Sequence, residues 1–163
     1  MKKIWELVDA DGEPSGVLRD RASGEPYPED LYFKVVEVWV RVKDRILLTQ
    51  RHPKKWAGLK WEASGGGVTL GERDVESAVR ELYEETGISA REDELFYLGR
   101  SVHHPAMVES FLLTLDDLPK LSLQPSEVVG ARLVTRAELI VMKDELTLDT
   151  YKRFRKYEQY LFG

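Results

Sequence analysis

The sequence predicts an α+β domain in which a mixed central sheet is covered by helices. Runs rich in β-branched and aromatic residues occur on both sides of one amphipathic helix pattern, and a second helix pattern ends the chain. The order is therefore strands, a long loop, a helix, more strands and a final helix. This order favours a sheet with helices packed on it.

Size and composition fit one soluble globular domain. The chain has 163 residues, of which 42% are hydrophobic and 33% charged. We therefore expect a single domain over residues 1–163. Since no apolar run approaches the roughly 20 residues that cross a membrane, we expect no membrane partner. Acidic and polar residues interrupt the apolar stretch that a secretory signal would need after "MKK".

Charge and cysteine content narrow the classes of function. The net charge of −5 argues against broad electrostatic binding to nucleic acid or anionic membranes, so no nucleic-acid partner is expected. The chain has no cysteine, which excludes disulfides and thiolate chemistry. A cytoplasmic location is the resulting expectation. The sequence leaves a homodimer open.

The N-terminal part, about residues 1–30, predicts a β-hairpin followed by a surface loop. The runs "KKIWELV" and "SGVL" are separated by "DADGEP", whose Asp, Gly and Pro residues favour a turn. Residues 19–30 lack periodicity and contain two prolines, which is typical of a loop.

Several further strands are predicted from composition. "YFKVVEVWVRV" and "RILLTQ", joined by "KD", predict central strands, and "RHPKKWAGLKWEAS" predicts a loop entering a short strand near residues 61–63. "ELFYLGRSV" and "VESFLLTL", joined through "HHPA", predict two more strands, and "ARLVT" another.

A C-terminal helix is predicted over about residues 148–162. Its apolar stripe consists of Leu148, Tyr151, Phe154, Tyr157 and Leu161. This spacing of three and four residues places the stripe on one helix face. The Lys and Arg residues between them indicate a solvated face.

The central helix pattern carries unusual negative charge. We expect Asp74 to be its N-cap and Gly87 to end it. Its apolar side consists of Val75, Ala78, Val79, Leu82 and Thr86. Glu81, Glu84 and Glu85 occupy a different sector, so core and carboxylates are expected to be separated. Because like charges at these spacings repel, the pattern favours a bound cation, although acidic clusters are usually solvated helix faces.

The chemistry of a hard divalent cation fits this segment. Mg²⁺ prefers oxygen ligands, which several carboxylates, phosphate and water together supply. Arg80 would orient a carboxylate or partly neutralise the cluster. The preceding "GGGVTLG" is expected to be flexible and would let backbone amides and carbonyls approach a metal or a phosphate closely.

Residues 66–88 match the longer pattern G-x5-E-x7-R-E-U-x-E-E-x-G-U, where U is an aliphatic residue. The matching positions are Gly66, Glu72, Arg80, Glu81, Leu82, Glu84, Glu85, Gly87 and Ile88. This pattern resembles the Nudix box, the signature of the Nudix hydrolase family. So many fixed positions make a solvated acidic face the weaker interpretation.

The resemblance implies a Nudix-type α/β/α sandwich with a mixed central sheet. It implies hydrolysis of a nucleoside diphosphate derivative, in which water attacks the phosphoanhydride with Mg²⁺ or Mn²⁺ as cofactor. By position, the expected metal-binding groups are the Gly65 carbonyl and the carboxylates of Glu72, Glu81, Glu84 and Glu85. Glu72 would be auxiliary, and Arg80 would position the carboxylates. Glu81, Glu84 and Arg80 are thus expected to act in catalysis.

The catalytic base is drawn in the family either from the box or from a later loop. Glu127, just before a late strand, is the external candidate for the base, and an exposed loop glutamate is the alternative. Glu109 is interpreted as an outward strand residue, with an additional metal ligand as the alternative.

Substrate selection is expected outside the box. Arg51, Lys54 and Lys55 would contact phosphates, and Trp56 would stack on a base, with a solvated loop as the alternative. The neighbouring histidines, His103 and His104, are interpreted as loop or packing residues rather than substrate contacts. The expected partner is a small-molecule nucleotide or another diphosphate.

One position departs from the common family pattern. Ser64 stands where relatives commonly have proline, and together with the N-terminal segment this resembles the isopentenyl-diphosphate isomerase branch. The isomerase uses a cysteine, which this chain lacks, so a hydrolase is favoured over the isomerase. A non-catalytic nucleotide-binding regulatory module is the other alternative.

Overall fold

The computed structural model describes residues 3–163 and contains nine strands and three α-helices within that range. The strands are β1 (Ile4–Val8), β2 (Pro14–Asp20), β3 (Phe33–Val42), β4 (Arg45–Arg51), β5 (Trp61–Glu62), β6 (Ser64–Gly67), β7 (Leu95–His103), β8 (Ala106–Leu115) and β9 (Val128–Thr135). The helices are α1 (Asp74–Thr86), α2 (Arg136–Val141) and α3 (Leu148–Phe162). Short 3₁₀ turns lie at Glu92–Glu94 and Lys143–Glu145.

Seven of the strands form one mixed sheet. The order is β5-β4-β3-β8-β7, with β6 also paired to β3 and β9 to β4. The pair β3 and β8 is parallel over ten residues, whereas the other pairs are antiparallel. The predicted mixed central sheet is thus confirmed.

Strand β3 separates two hydrophobic cores because its side chains alternate between the faces of the sheet. Val38 and Val40 face α1 and lie in one core with Ala78 and Leu82. Trp39 points to the opposite face, into a core that contains residues of α2 and α3. Helices therefore cover both faces, which confirms the α/β/α sandwich.

The N-terminal strands form a separate two-stranded sheet beside the domain. The amides of Val8 and Tyr32 each donate to the other residue's carbonyl at 2.9 Å, which ties β1 to the start of β3. The indole of Trp5 stacks on Phe33 with ring centroids 4.3 Å apart. These contacts fix the hairpin against the glycine-rich end of the domain. Within residues 3–163, no helix is long and apolar enough to cross a membrane.

Two elements were missed by the sequence prediction. The glycine-rich run was interpreted as flexible, but residues 64–67 pair with β3 as β6, with Gly65 opposite Glu37. Backbone pairing alone makes this strand, because glycines carry no strand propensity. Helix α2 was also missed, although "TRAE" contains its capping box, in which Thr135 and Glu138 bond reciprocally.

The start of α1 corrects the prediction that Asp74 is its N-cap. The helix begins at Asp74, and Arg73 precedes it without a side-chain capping bond. Asp74 instead accepts a hydrogen bond from Lys34 Nζ at 3.1 Å, so its carboxylate anchors the helix to β3. Gly87 ends the helix as predicted, with φ of +79°.

Helix α3 carries the predicted stripe except at its first residue. Phe154, Tyr157 and Leu161 are buried, whereas Leu148 is 61% exposed because it begins the helix and faces away from the core. The interpretation of its basic residues as a solvated face is wrong for Arg153. Its side chain is largely buried, and Nε donates to Glu37 Oε2 at 2.9 Å.

Glu109 organises a polar network on β8, and its interpretation as an outward residue is wrong. The residue is only 2% exposed. Its carboxylate accepts hydrogen bonds from Arg100 Nη2 and the Tyr97 hydroxyl, both at 2.9 Å, and lies 3.5 Å from Lys34 Nζ. Burial alone would raise the pKa of Glu109, but the bonds from Arg100 and Tyr97 bring it below its usual value.

Replacing Leu82 by alanine should reduce the free energy of unfolding by about 2–5 kcal/mol, the range for deleting a buried leucine side chain. Urea denaturation followed by circular dichroism measures the change. The exposed neighbour Tyr83 is the control, since Tyr83→Ala should leave stability nearly unchanged. Equal losses in the two variants would contradict the packing of α1 described above.

Glu109→Gln should lower stability at neutral pH by roughly 1.5–3 kcal/mol, the scale of hydrogen bonds to a charged group. The folded-state pKa of Glu109 lies below its unfolded value, so its contribution is present above about pH 4.3 and is lost as pH falls through the folded pKa. The wild type should therefore lose more stability on acidification than the variant.

Chemical denaturation at a series of pH values between neutral and about pH 3 would measure this difference. Glu29→Gln, at an exposed position, should leave the wild-type pH dependence intact. Parallel stability curves for the wild type and Glu109→Gln would contradict the assignment.

Candidate active site

Strand β6 brings backbone without side chains against the acidic face of α1. A Cβ atom at Gly66 would lie 2.3 Å from Glu81 Cδ, a distance no real side chain tolerates. The carboxyl group of Glu81 thus occupies the space above this glycine. Glycine at position 66 is required by this close approach rather than by an unusual φ.

Arg80 gathers three carboxylates around one guanidinium. Its Nε donates to Glu72 Oε2 at 3.0 Å, and its Nη1 donates to Glu81 Oε1 at 3.0 Å and to Glu84 Oε2 at 3.1 Å. Its Nη2 also donates to the Gly67 carbonyl at 3.3 Å. These bonds hold the acidic side chains near the glycine strand.

The carboxylates of α1 lie outside its hydrophobic core, but two of the three are buried. Glu81 is 9% exposed and Glu85 only 5%, whereas Glu84 is exposed. Periodicity alone could not show this, because three of the four residues of β6 are glycines and therefore let α1 approach closely. The buried sector of the helix is wider than its apolar sector.

Burial changes the protonation of these groups. Glu85 accepts hydrogen bonds from Ser64 Oγ at 2.6 Å and from the Gly65 amide at 3.1 Å, yet its burial raises its pKa to about 7. Burial also raises the pKa of Glu81, against the opposing effect of Arg80. Partial burial would raise the pKa of Glu72 as well, but bonds from Arg80 and Ser77 bring it below its usual value.

The residues present fit a divalent cation. Their donors are hard carboxylate oxygens beside a strand whose backbone is accessible, and one guanidinium faces several acidic groups. Across residues 3–163, no three acidic or histidine side chains already converge as metal ligands. Glu72, Glu81 and Glu84 instead contact the guanidinium of Arg80.

Two adjoining depressions surround this site. The acidic groove is lined by residues of α1 and the preceding loop, namely Glu72, Arg80, Glu81 and Glu84. The central cleft, of about 380 Å³, lies on the other side of the β6 glycines. Its charged side chains and its histidine and threonine are Arg21, Glu37, Arg51, Lys55, Glu62, His103, Thr147, Asp149 and Arg153.

The structure places three of the four predicted substrate-binding residues at the central cleft. Arg51 lines it and donates to Glu62 Oε1 at 2.9 Å and to the Trp56 carbonyl at 2.7 Å. Lys55 also lines it, and Trp56 is 77% exposed on its rim. Lys54 is exposed and does not line the cleft.

Glu127 lies in the loop before β9 and forms an ion pair with Lys55. Its backbone carbonyl also accepts a hydrogen bond from the His52 amide at 3.0 Å, which holds the two loops together. The predicted external base is therefore attached to the cleft through a lysine, and it does not reach the α1 carboxylates directly.

The two predicted loop or packing histidines lie in different environments. His103 lines the central cleft and lies 3.1 Å from Asp149 Oδ2 through its Nε2. His104 Nε2 lies 2.8 Å from the Pro28 carbonyl, and its ring packs edge-on against Tyr32. His104 thus fixes the loop after the hairpin, whereas His103 belongs to the wall of the cleft.

Sequence reasoning missed several residues of the cleft. Glu62 lines it as the ion-pair partner of Arg51, and burial raises the pKa of Glu62. The pair of Glu37 and Arg153 joins residues 116 positions apart, so no local pattern could indicate it. Trp5 and Arg21, from the hairpin, line both the groove and the cleft.

Comparison with known proteins connects this geometry to a family. The NUDIX domain profile matches residues 31–157, most of the chain. The chain is 33% identical over 94 residues to Nudix hydrolase 3 of Arabidopsis thaliana, covering 55% of this chain and 12% of that protein. It is 41% identical over 54 residues to an RNA pyrophosphohydrolase of Bartonella clarridgeiae, covering 33% of this chain and 30% of that protein.

A solved structure shares the fold. A bifunctional NMN adenylyltransferase/ADP ribose pyrophosphatase of Francisella tularensis, complexed with AMP and a manganese ion, superposes with a TM-score of 0.69. The two chains are 20% identical, and the aligned region covers 84% of this chain and 43% of the Francisella tularensis chain. Since the NUDIX profile spans most of the chain, this protein belongs to the Nudix family.

Proposed function

We propose that this protein is a metal-dependent hydrolase that cleaves the phosphoanhydride bond of a nucleoside diphosphate derivative by water attack. The observation that carries the proposal is the gathering of Glu72, Glu81 and Glu84 on Arg80 beside the β6 glycines. A pyrophosphohydrolase among the relatives supports the reaction type. The manganese ion in the Francisella tularensis structure supports the cofactor class.

Glu81, Glu84 and Glu85, with the Gly65 carbonyl, would hold Mg²⁺ or Mn²⁺, and Glu72 would be auxiliary. A bound divalent ion supplies charge neutralisation for the diphosphate and lowers the pKa of a coordinated water. The chain itself must orient the carboxylates, and Arg80 does so through bonds of 3.0–3.1 Å. Arg80 therefore acts as a positioning residue, and cation binding would redistribute its three partners.

The acidic groove and the central cleft divide the substrate between them. The diphosphate belongs beside the α1 carboxylates, where a cation offsets like charge. The nucleoside belongs in the cleft, with Trp56 available for stacking and Arg51 and Lys55 for polar contacts. Glu127 is proposed as the base, and this role requires its carboxylate to leave Lys55, with which it forms an ion pair.

Glu84→Gln should slow phosphate or nucleotide release by at least about hundredfold, the scale on which losing one preorganised electrostatic group slows an enzyme. A panel of nucleoside diphosphate derivatives with excess Mg²⁺ provides the measurement. Glu76→Gln removes one charge from an exposed, salt-bridged position on the same helix and should retain activity.

Equal rates for the wild type and Glu84→Gln would refute the assigned site. Tight nucleotide binding with no turnover under either metal would instead favour a nucleotide-binding regulatory module. Interconversion of isopentenyl and dimethylallyl diphosphates, detected by proton exchange, would favour the isomerase.

Gly66→Ala should weaken Mn²⁺ binding and lower hydrolysis, because the added Cβ would displace the Glu81 carboxyl group from its place above the strand. Titration calorimetry with Mn²⁺ and the hydrolysis assay measure both effects. Gly24→Ala is the matched control, since nothing lies within 4 Å of a Cβ there. Unchanged Mn²⁺ affinity in Gly66→Ala would contradict the expectation that metal binding needs the Glu81 carboxyl group above the strand.

A further inference from the structure

The hairpin places one arginine at the junction of the acidic groove and the central cleft. Arg21 follows β2 and lines both depressions. Its guanidinium lies over the Trp5 ring, with Cζ 4.5 Å from the ring centroid. A Cβ at Gly67 would come 3.2 Å from Arg21 Cζ, so the guanidinium lies against the last glycine of β6.

This position is next to the carboxylate site. Glu81 lies over Gly66, and Arg21 lies over Gly67, one residue later in the same strand. Burial of its guanidinium lowers the pKa of Arg21, while the negative charges of Glu81 and Glu127 act in the opposite direction. The arginine is therefore within electrostatic range of both the α1 carboxylates and the loop before β9.

Three of the basic side chains that line the central cleft are held in ion pairs, whereas Arg21 is not. Arg51 pairs with Glu62, Lys55 with Glu127, and Arg153 with Glu37. Within residues 3–163, the guanidinium of Arg21 forms neither an ion pair with a carboxylate nor a hydrogen bond. Its N–H donors thus have no acceptor among these residues and can serve a ligand.

We propose that Arg21 binds a phosphoryl oxygen of the diphosphate on the cleft side of the α1 carboxylates. The proposal rests on the proposed function, because it assumes that the groove and the cleft hold one substrate. A planar guanidinium suits two phosphoryl oxygens at once, and its seat on Trp5 limits the conformational freedom lost on binding.

The proposed phosphate contact comes from the N-terminal hairpin. The NUDIX profile match begins at residue 31, so Arg21 and Trp5 lie outside the matched domain. The hairpin is held to that domain by the Val8 and Tyr32 backbone pair and by the stacking of Trp5 on Phe33. An accessory segment thereby completes the phosphate site of the family domain.

Binding of α,β-methylene-ADP with excess Mg²⁺ tests this assignment by calorimetry, because its carbon bridge resists hydrolysis. Arg21→Ala should weaken affinity by about tenfold, the effect of losing one hydrogen-bonded charge at an exposed position. Arg21→Lys should lie between, since it keeps the charge but loses the planar fork. Arg91→Gln removes one charge from an exposed residue outside both depressions and should bind like the wild type.

Wild-type affinity in Arg21→Ala would overturn the proposal. Equal weakening in Arg91→Gln would also overturn it, because it would indicate a general electrostatic effect. The proposal would likewise fail if the wild type did not bind the analogue. Thermal unfolding of each variant checks folding, and Arg21→Lys retains a test if the alanine variant is unstable. Failure of the proposed function looks different, because the wild type would then bind the analogue through Arg21 but hydrolyse no member of the nucleotide panel.

Discussion

The structure depends on burying carboxylates of α1 against a strand that consists of one serine and three glycines. Taking Glu81 and Glu85 out of water is unfavourable for their charged forms, and both pKa values are raised as a result. Glycine at position 66 makes the close approach possible, and Arg80 offsets only part of the negative charge. The apolar face of α1, with Leu82 fully buried, must therefore hold the helix in place against this cost.

The features that the sequence predicts correctly depend on residues that are close together in the chain. Arg80, Glu81, Glu84 and Glu85 lie within six positions, so the spacing on one helix indicates that they are neighbours. The sandwich was predictable for the same reason, since strand and helix periodicities are local. Its long-range details were not, and the buried pair of Glu37 with Arg153 is determined only when α3 packs on β3.

The glycines of β6 explain why the sequence did not predict this strand or the burial of Glu81 and Glu85. A run of three glycines predicts flexibility, yet pairing with β3 makes it a strand and removes the expected freedom. The same missing side chains widen the buried sector of α1, so Glu81 and Glu85 are covered although their residue type predicts exposure. Helix periodicity describes one element alone and cannot report how closely its neighbour approaches.

The two depressions arrange their charges differently on either side of one strand: three carboxylates share the Arg80 guanidinium in the groove, whereas the cleft holds separate ion pairs. This arrangement suits a ligand that has a diphosphate part and a nucleoside part. A diphosphate needs cations where it meets the groove, whereas the cleft already balances its charges internally through pairs such as Arg51 with Glu62. Side chains in ion pairs can orient a ligand without adding net charge. A guanidinium without an ion-pair partner adds positive potential that attracts the diphosphate. Stability and reactivity are therefore set by different residues. The sandwich cores hold the strand and helix, and the imperfectly compensated charges beside them carry the chemistry.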